Sequence, residues 1–585
     1  MHALRGQWRH SAAEPRVIWL WRMCLLCLLA VGSGFVVVGL LATPVAADAP
    51  AASTDRTQST VSPTIDEESP IDNANGTTEV IVRFTPVDDP GDIGDPDDDG
   101  TAAVADLRDH AAAEQAAFDA FVTDHQGVSI EHEFWLANAM VVTVDAEVVD
   151  TADLLAVENV TRVHPNIKIG TLEATTAASE TITPTTTPTT TTPTTTTSTA
   201  TPAAAIDHRS QIDAEPSGAH TWGIELIEAP AAWDRFETRG EGASVAVIDT
   251  GVDPTHQDID IVSWASFDGN GTLVSDDVAA ATDPNGHGTH VAGTVAGGNG
   301  SGTAIGVAPD ADIHGLNAFG ADGTATFAGV LAAMEHATVE SNADVLQMSL
   351  GASGTFRGFI RPVQNARATG TIVVAAAGND GEHTSSAPGN IYDSLAVGAV
   401  DEQREVAAFS SGQRINATAA FATYPDHWPE HYVVPDVSAP GVRVVSAEAG
   451  TTDGYVRQQG TSMAAPHVSG IAALAVAATD GRITDADLQA AIIDSAVHPS
   501  GAAEPDDRYG HGVVDAPAAI DAAVEASPPP PEPTNESESD MNQSVDEAAD
   551  TDASTPGFGV GAAVTALLVV MIGTAVARAN DKDGG

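Results

Sequence analysis

Along the middle of this chain, runs of Val, Ile and Ala alternate with stretches whose apolar residues repeat at helical spacing. Near-continuous apolar runs over 244–249, 344–349, 371–376 and 394–399 predict strands buried on both faces. Helical periodicity marks 287–296, 326–340, 358–368 and 463–478. This alternation predicts an α/β fold, a doubly wound parallel sheet flanked by helices. Functional groups on such a sheet gather at the carboxyl ends of its strands. A smaller unit precedes it. Residues 79–84 alternate as a strand, 104–125 as a helix, and 128–134, 139–144, 148–155 and 160–164 follow as strand, strand, short helix and strand. The order β-α-β-β-α-β is the split, ferredoxin-like α+β arrangement.

The remaining stretches carry no such period. Residues 174–202 are almost all Thr, Pro and Ala, which predicts an extended tether. At the start, four arginines precede an apolar run over 23–42 and the small-residue stretch 44–47. That pattern predicts a secretory signal cut after Ala47, with an uncut membrane anchor as the alternative. At the end, Pro556-Gly557-Phe558 opens an apolar run over 559–577, followed by Arg578 and Lys582. The predicted organisation is therefore a signal (1–47), an acidic linker (48–77), the small unit (78–170) and a Thr/Pro-rich linker (171–217). A large domain (218–526), an acidic Pro-rich linker (527–555) and a membrane-spanning segment (556–585) complete it.

Charge changes the picture next. The chain has 82 acidic and 23 basic residues, a formal net charge of −59, and its only lysines are Lys168 and Lys582. No basic face is available for phosphate contacts, which excludes a nucleic-acid partner. An acidic, lysine-poor surface fits a high-salt medium, where a Debye length of about 3 Å or less screens self-repulsion. Cys24 and Cys27 both lie in the first apolar run, so no disulfide and no cysteine zinc site belongs to the folded body.

Three motifs carry candidate chemistry: Val245-Ala-Val-Ile-Asp249-Thr250-Gly251, Asn285-Gly-His287-Gly-Thr-His290-Val-Ala-Gly293 and Gly460-Thr461-Ser462-Met463-Ala464-Ala465-Pro466-His467. In chain order they offer a carboxylate, an imidazole and a hydroxyl, the groups of a serine nucleophile system. Singly, Asp-Thr-Gly reads as a turn and Gly-Thr-Ser as a helix cap. Together, over roughly 219–526, they resemble the subtilisin family of serine proteases, of the haloarchaeal, halolysin-like type.

The resemblance implies Asp249, His287 and Ser462 as a catalytic triad and Asn379, in Ala376-Ala-Gly-Asn-Asp-Gly381, as an oxyanion donor. It makes Ser349, Leu350 and Gly351 the strand that pairs with substrate, and Ala376 to Gly378 a wall of the pocket before the scissile bond. The pocket floor is expected near Pro388-Gly389-Asn390, and His290 and His467 are expected to be buried helix histidines. No cofactor is required for the chemistry. Asp258 matches a calcium-ligating aspartate, with Asn299 in the partner loop, so a structural calcium ion is an open expectation. The small unit resembles the family's inhibitory propeptide, which places a first self-cleavage between Lys168 and Ala178. The C-terminus resembles a haloarchaeal sorting tail processed by an archaeosortase; a plain membrane anchor is the alternative. The expected protein is a monomeric, extracellular, surface-tethered endopeptidase acting on proteins or peptides. A catalytically inactive scaffold or adhesion protein of the same fold is the rival. A serine-carboxyl peptidase would place Glu where this chain has His287.

Overall fold

The structure is a computed structural model that describes residues 76–87, 100–172, 218–502 and 505–529. The expected signal segment, most of each linker and the C-terminal segment lie outside the described residues.

The small unit contains strands β1 (Thr77–Phe84), β2 (Val128–Phe134), β3 (Ala139–Asp145) and β4 (Val160–Pro165), with helices α1 (Thr101–Asp124) and α2 (Thr151–Leu155). The sheet order is β2-β3-β1-β4, with every pairing antiparallel. Alternation along β1 and β3 gives this sheet two different faces. Val80, Val82, Met140 and Val142 pack on Phe118 and its neighbours. Ile81 and Val141 join Phe134, Leu136 and a cluster that belongs largely to the big domain. The second face is therefore buried by the other unit. One further strand, β5 (Lys168–Thr171), leaves this sheet altogether.

In the big domain, β6 (Ser244–Asp249), β7 (Ser263–Phe267), β8 (Leu273–Ser275) and β9 (Asp312–Asn317) come first. β10 (Thr324–Thr326), β11 (Val345–Met348), β12 (Leu350–Ser353), β13 (Ile372–Ala376), β14 (Ser386–Ala387) and β15 (Leu395–Val400) follow. Two hairpin ribbons, β16 (Gln413–Asn416) with β17 (His431–Val434) and β19 (Val444–Ala447) with β20 (Tyr455–Gln458), flank β18 (Val437–Pro440). The main sheet runs β18-β15-β13-β11-β6-β9-β7-β8 and is parallel except for the edge strand β8. Each residue of β11, β13 and β15 is buried, as strands covered on both faces must be.

The helices that matter for the site are α3 (His287–Ala296), α4 (Phe327–Val339), α5 (Ile360–Ala368) and α6 (Thr461–Ala478), with α7 (Asp485–Ser495) and α8 (Ala516–Ala526) after them. Among the described residues, α6 alone is long and apolar enough to cross a membrane. Instead it runs through the core, and its side chains from Thr461 to Val476 are all buried. The α/β reading of the sequence holds, with an antiparallel edge strand that the apolar pattern did not show.

Candidate active site

The motifs meet where the parallel sheet ends. Asp249 is the last residue of β6, and His287 is the first of α3. Gly286, at φ 94°, turns the chain into that helix with a backbone conformation that favours glycine. His287 Nδ1 lies 2.7 Å from Asp249 Oδ1, and both side chains are buried. Asp249 Oδ1 also accepts from Thr250 N at 2.7 Å. A carboxylate so placed fixes which imidazole nitrogen carries the proton.

Ser462 opens α6. Pro466, four residues on, has no N–H to give to the Ser462 carbonyl. Ser349 fills that place: its hydroxyl donates to Ser462 O at 2.7 Å, and Gln347 Nε2 donates to Ser349 Oγ at 2.7 Å. Ser469 Oγ in turn donates to Gln347 Oε1 at 2.5 Å. The turn that carries the Ser462 hydroxyl is thus tied to β11 by side chains that are all buried.

Lying across this end of the sheet is β5. It pairs antiparallel with β10 on one side (Thr324↔Gly170, Ala325↔Ile169, Thr326↔Lys168) and with β12 on the other (Leu350↔Thr171, Gly351↔Gly170). Leu172 follows. Its carbonyl oxygen accepts from Ser462 Oγ at 2.8 Å and from Asn379 Nδ2. Asn379 is held in turn by Thr461, whose N and Oγ1 donate to Asn379 Oδ1 at 2.9 and 3.0 Å. A hydroxyl and an amide converge on one peptide carbonyl at the end of a three-stranded clasp. Such an arrangement suits attack on that carbonyl and stabilisation of the oxyanion that forms.

Residues 240–512 match the Subtilase family of peptidases. Over 253 residues the chain is 38% identical to subtilisin BL of Lederbergia lenta, covering 43% of this chain and 82% of that protein. It is also 38% identical to subtilisin DY of Bacillus licheniformis over 260 residues, 43% of this chain and 83% of that protein. With M-protease of Shouchella clausii it shares 37% identity over 253 residues, 43% of this chain and 58% of that protein. The chain belongs to the subtilase family. It is a hydrolase, a serine endopeptidase of that family.

Other residues singled out in this subtilase fall into place around the clasp. Ala376 ends β13 and is buried, and Gly378 N donates to Thr461 Oγ1 at 3.2 Å. Ser386 escaped the sequence reading. A Cβ on Gly351 would stand 3.1 Å from Leu172 Cδ1 and 3.2 Å from Ser386 Cβ, so Ser386 sits beside the Leu172 side chain. Asn390, expected at the pocket floor, points its Nδ2 to Gly354 O (2.8 Å) and Ser385 Oγ (3.0 Å) and braces the loop there. The strand β10 was missed too, because three residues between a glycine turn and the start of α4 are too few to show alternation.

His290 and His467 are not brought to the site. His290 Nε2 lies 3.0 Å from Val444 O and His467 Nδ1 2.8 Å from Met463 O. Burial pushes their pKa values down to about 3 and about 4, so both stay neutral scaffold groups.

At the loop where calcium was expected, Asp258 is engaged by groups of the chain itself. Asp258 Oδ1 accepts from Gly300 N at 2.5 Å, and its Oδ2 accepts from the Tyr455 hydroxyl at 2.5 Å. Gln257 Nε2 braces the same Tyr455 oxygen at 3.0 Å, and Asn299 is exposed. Both oxygens of the one carboxylate are thus turned to donors.

Proposed function

We propose that this subtilase is a secreted endopeptidase made as a zymogen, using Asp249, His287 and Ser462 as its triad and Asn379 as an oxyanion donor. One observation carries the reading. The Leu172 carbonyl sits between the Ser462 hydroxyl and the Asn379 amide, at the end of a strand clasped by β10 and β12. This is the pose of a peptide whose next bond, Leu172–Glu173, is the one to be cut.

Ser462 Oγ attacks the Leu172 carbonyl carbon while His287 takes the hydroxyl proton, and Asp249 stabilises the imidazolium. Negative charge collects on the Leu172 oxygen, where Asn379 donates. His287 then hands the proton to the Glu173 nitrogen, which leaves as an amine. Water, activated by the same histidine, hydrolyses the acyl-enzyme and frees the Leu172 carboxylate. Substrates in trans bind by the same strand addition through Ser349, Leu350 and Gly351, with Ala376 and Gly378 walling the pocket for a large apolar residue such as leucine.

The small unit is the inhibitory propeptide. Its strand fills the cleft, and its second sheet face lies against α4 and α5. Leu136 N donates to Glu335 Oε1 at 2.7 Å, Asn365 Nδ2 donates to Leu136 O at 2.6 Å, and Phe327 N donates to Ile167 O at 2.9 Å. The enzyme acts outside the cell as a monomer, sent there by residues 1–47 and tethered through the membrane by residues 556–585.

Labelling decides the site. A fluorophosphonate should modify secreted enzyme at Ser462, and mature enzyme should lack everything up to Leu172. A purified Ser462→Ala precursor that cuts itself at Leu172 would overturn the assignment.

A further inference from the structure

A second buried carboxylate stands behind the Asp249–His287 pair and takes no part in the steps above. Asp283 lies in the turn before α3 and is only 6% exposed. Its partners are all neutral. Oδ1 accepts from Thr250 Oγ1 (2.9 Å), Gly286 N (2.8 Å) and Asn285 N (3.2 Å), and Oδ2 accepts from Thr289 N (2.8 Å) and Thr289 Oγ1 (2.7 Å). Burial pushes its pKa up, and the neighbouring Asp249 adds to that, while the hydrogen bonds oppose it. Burying an acid without a counter-ion is costly. Capping a helix does not require it, since a Ser or Asn side chain would serve.

What those bonds reach explains the arrangement. Thr250 follows Asp249 directly, and its hydroxyl, while donating to Asp283, accepts from Gly288 N at 3.0 Å. Thr289 belongs to the first turn of α3, and its hydroxyl, also donating to Asp283, accepts from Asp253 N at 3.0 Å. Each hydroxyl therefore bridges the turn after β6 to the helix that begins at His287. The backbones touch here as well. Gly251 sits at φ 119°, and a Cβ on it would stand 2.1 Å from Thr282 O; one on Gly288 would stand 2.1 Å from Gly251 O. There is no slack between the two segments, and Asp283 is the knot that joins them.

We propose that Asp283 is a positioning residue, whose grip on Thr250 and Thr289 holds Asp249 and His287 at hydrogen-bond distance. The proposal rests on the triad reading given above. Asp283→Asn presents an amide N–H₂ where two donors already point, so the turn after β6 and the start of α3 should part. The substrate clasp of β10 and β12 lies outside this network and should be undisturbed.

The test is steady-state kinetics of mature enzyme on a peptide p-nitroanilide ending in leucine. Asp283→Asn should lower kcat by about ten- to a hundredfold, the scale on which sub-ångström misplacement acts, and should leave KM within about twofold. Thr250→Val should lower kcat less but in the same direction, and Thr250→Ser should recover most of that loss. A kcat for Asp283→Asn within about twofold of wild type, whatever its melting temperature, overturns the proposal. So does a rise in KM at constant kcat. If Asp283→Asn yields no mature enzyme, the Thr250 pair decides alone: equal kcat for the Val and Ser variants overturns it. Wild-type enzyme that neither turns over nor labels at Ser462 overturns the triad reading and this proposal together. Active wild type with unaffected variants overturns this one only.

Discussion

The small unit meets the big domain in two places, and they are built on different principles. In the cleft, β5 is held by its main chain, between β10 and β12, with the Leu172 carbonyl at its end. Almost any extended peptide offers the same donors and acceptors. On the sheet face, particular side chains do the holding. Phe134, Leu136 and Ala137 bury themselves in the big domain's cluster, His164 sits 5.9 and 5.6 Å from the rings of Phe327 and Phe356, and Glu335 receives Leu136 N. One contact is general and chemically vulnerable; the other is specific and untouched by peptide-bond cleavage. If the proposed cut falls after Leu172, it severs the chain without unseating the unit. Cleavage and release become separate events.

The largest test removes cleavage and leaves both contacts in place. Ser462→Ala should yield a full-length precursor with no detectable turnover, because the triad acts as a unit. Intact precursor mass and the absence of a new N-terminus check it. Next, Asn379→Ala should reduce kcat by about a hundred- to a thousandfold, the usual cost of one oxyanion donor. Its KM for a leucine peptide should barely change, since the clasp of β10 and β12 remains.

The face contact should respond to pH where the cleft does not. Burial under the small unit pushes the Glu335 pKa up to about 8, the main cause being desolvation, with Arg108 and the backbone donors pulling the other way. A raised pKa in the bound state means that the docked form holds the extra proton. Its contribution is complete below the ordinary glutamate range and is lost as pH climbs to about 8. Release of the cut unit should accordingly speed up between the histidine range, near 6.5, and about 8, where His164 no longer opposes it, by about tenfold or more, and level off above. Glu335→Gln should flatten that profile, and a profile unchanged by the substitution would place the proton elsewhere. His164 acts at the other end: burial lowers its pKa to about 3, so the docked state also loses stability as pH falls through the ordinary histidine range.

The smallest effect belongs to a loop in neither contact. Asp258→Ala should cost about 1–3 kcal/mol by stranding the Gly300 N–H and the Tyr455 hydroxyl. Thermal melts with and without chelator should show the same loss. A chelator-sensitive wild type beside an insensitive variant would place a calcium ion at Asp258.

What could be read in the sequence divides along similar lines. Asp249, His287, Asn379 and Ser462 could be singled out as candidates because each sits at or just beyond the end of an apolar run or helical period, within a glycine context. The helix expected over 326–340 is Phe327–Val339, and that expected over 104–125 is Thr101–Asp124. What stayed hidden depends on partners far away along the chain. Glu335 reads as one more surface acid on a helix until Leu136, 199 residues earlier, covers it. Nothing near Asp258 in the sequence signals Tyr455, 197 residues later, whose hydroxyl donates to it. The ribbon of β16 and β17 has strands too short for their alternation to stand out among the surrounding turns.

The place of α6 has a consequence for how this molecule survives its own product. A protease in solution is surrounded by copies of itself, and any copy that loosens becomes food for the rest. Proteins open piecemeal, and the most protected segments open last. Because Ser462 lies in the first turn of a helix whose side chains from Thr461 to Val476 are all buried, the proposed nucleophile is lost only when the core itself opens. A copy that frays at its margins can still bite, and a copy open enough to be bitten through its centre has already been disarmed.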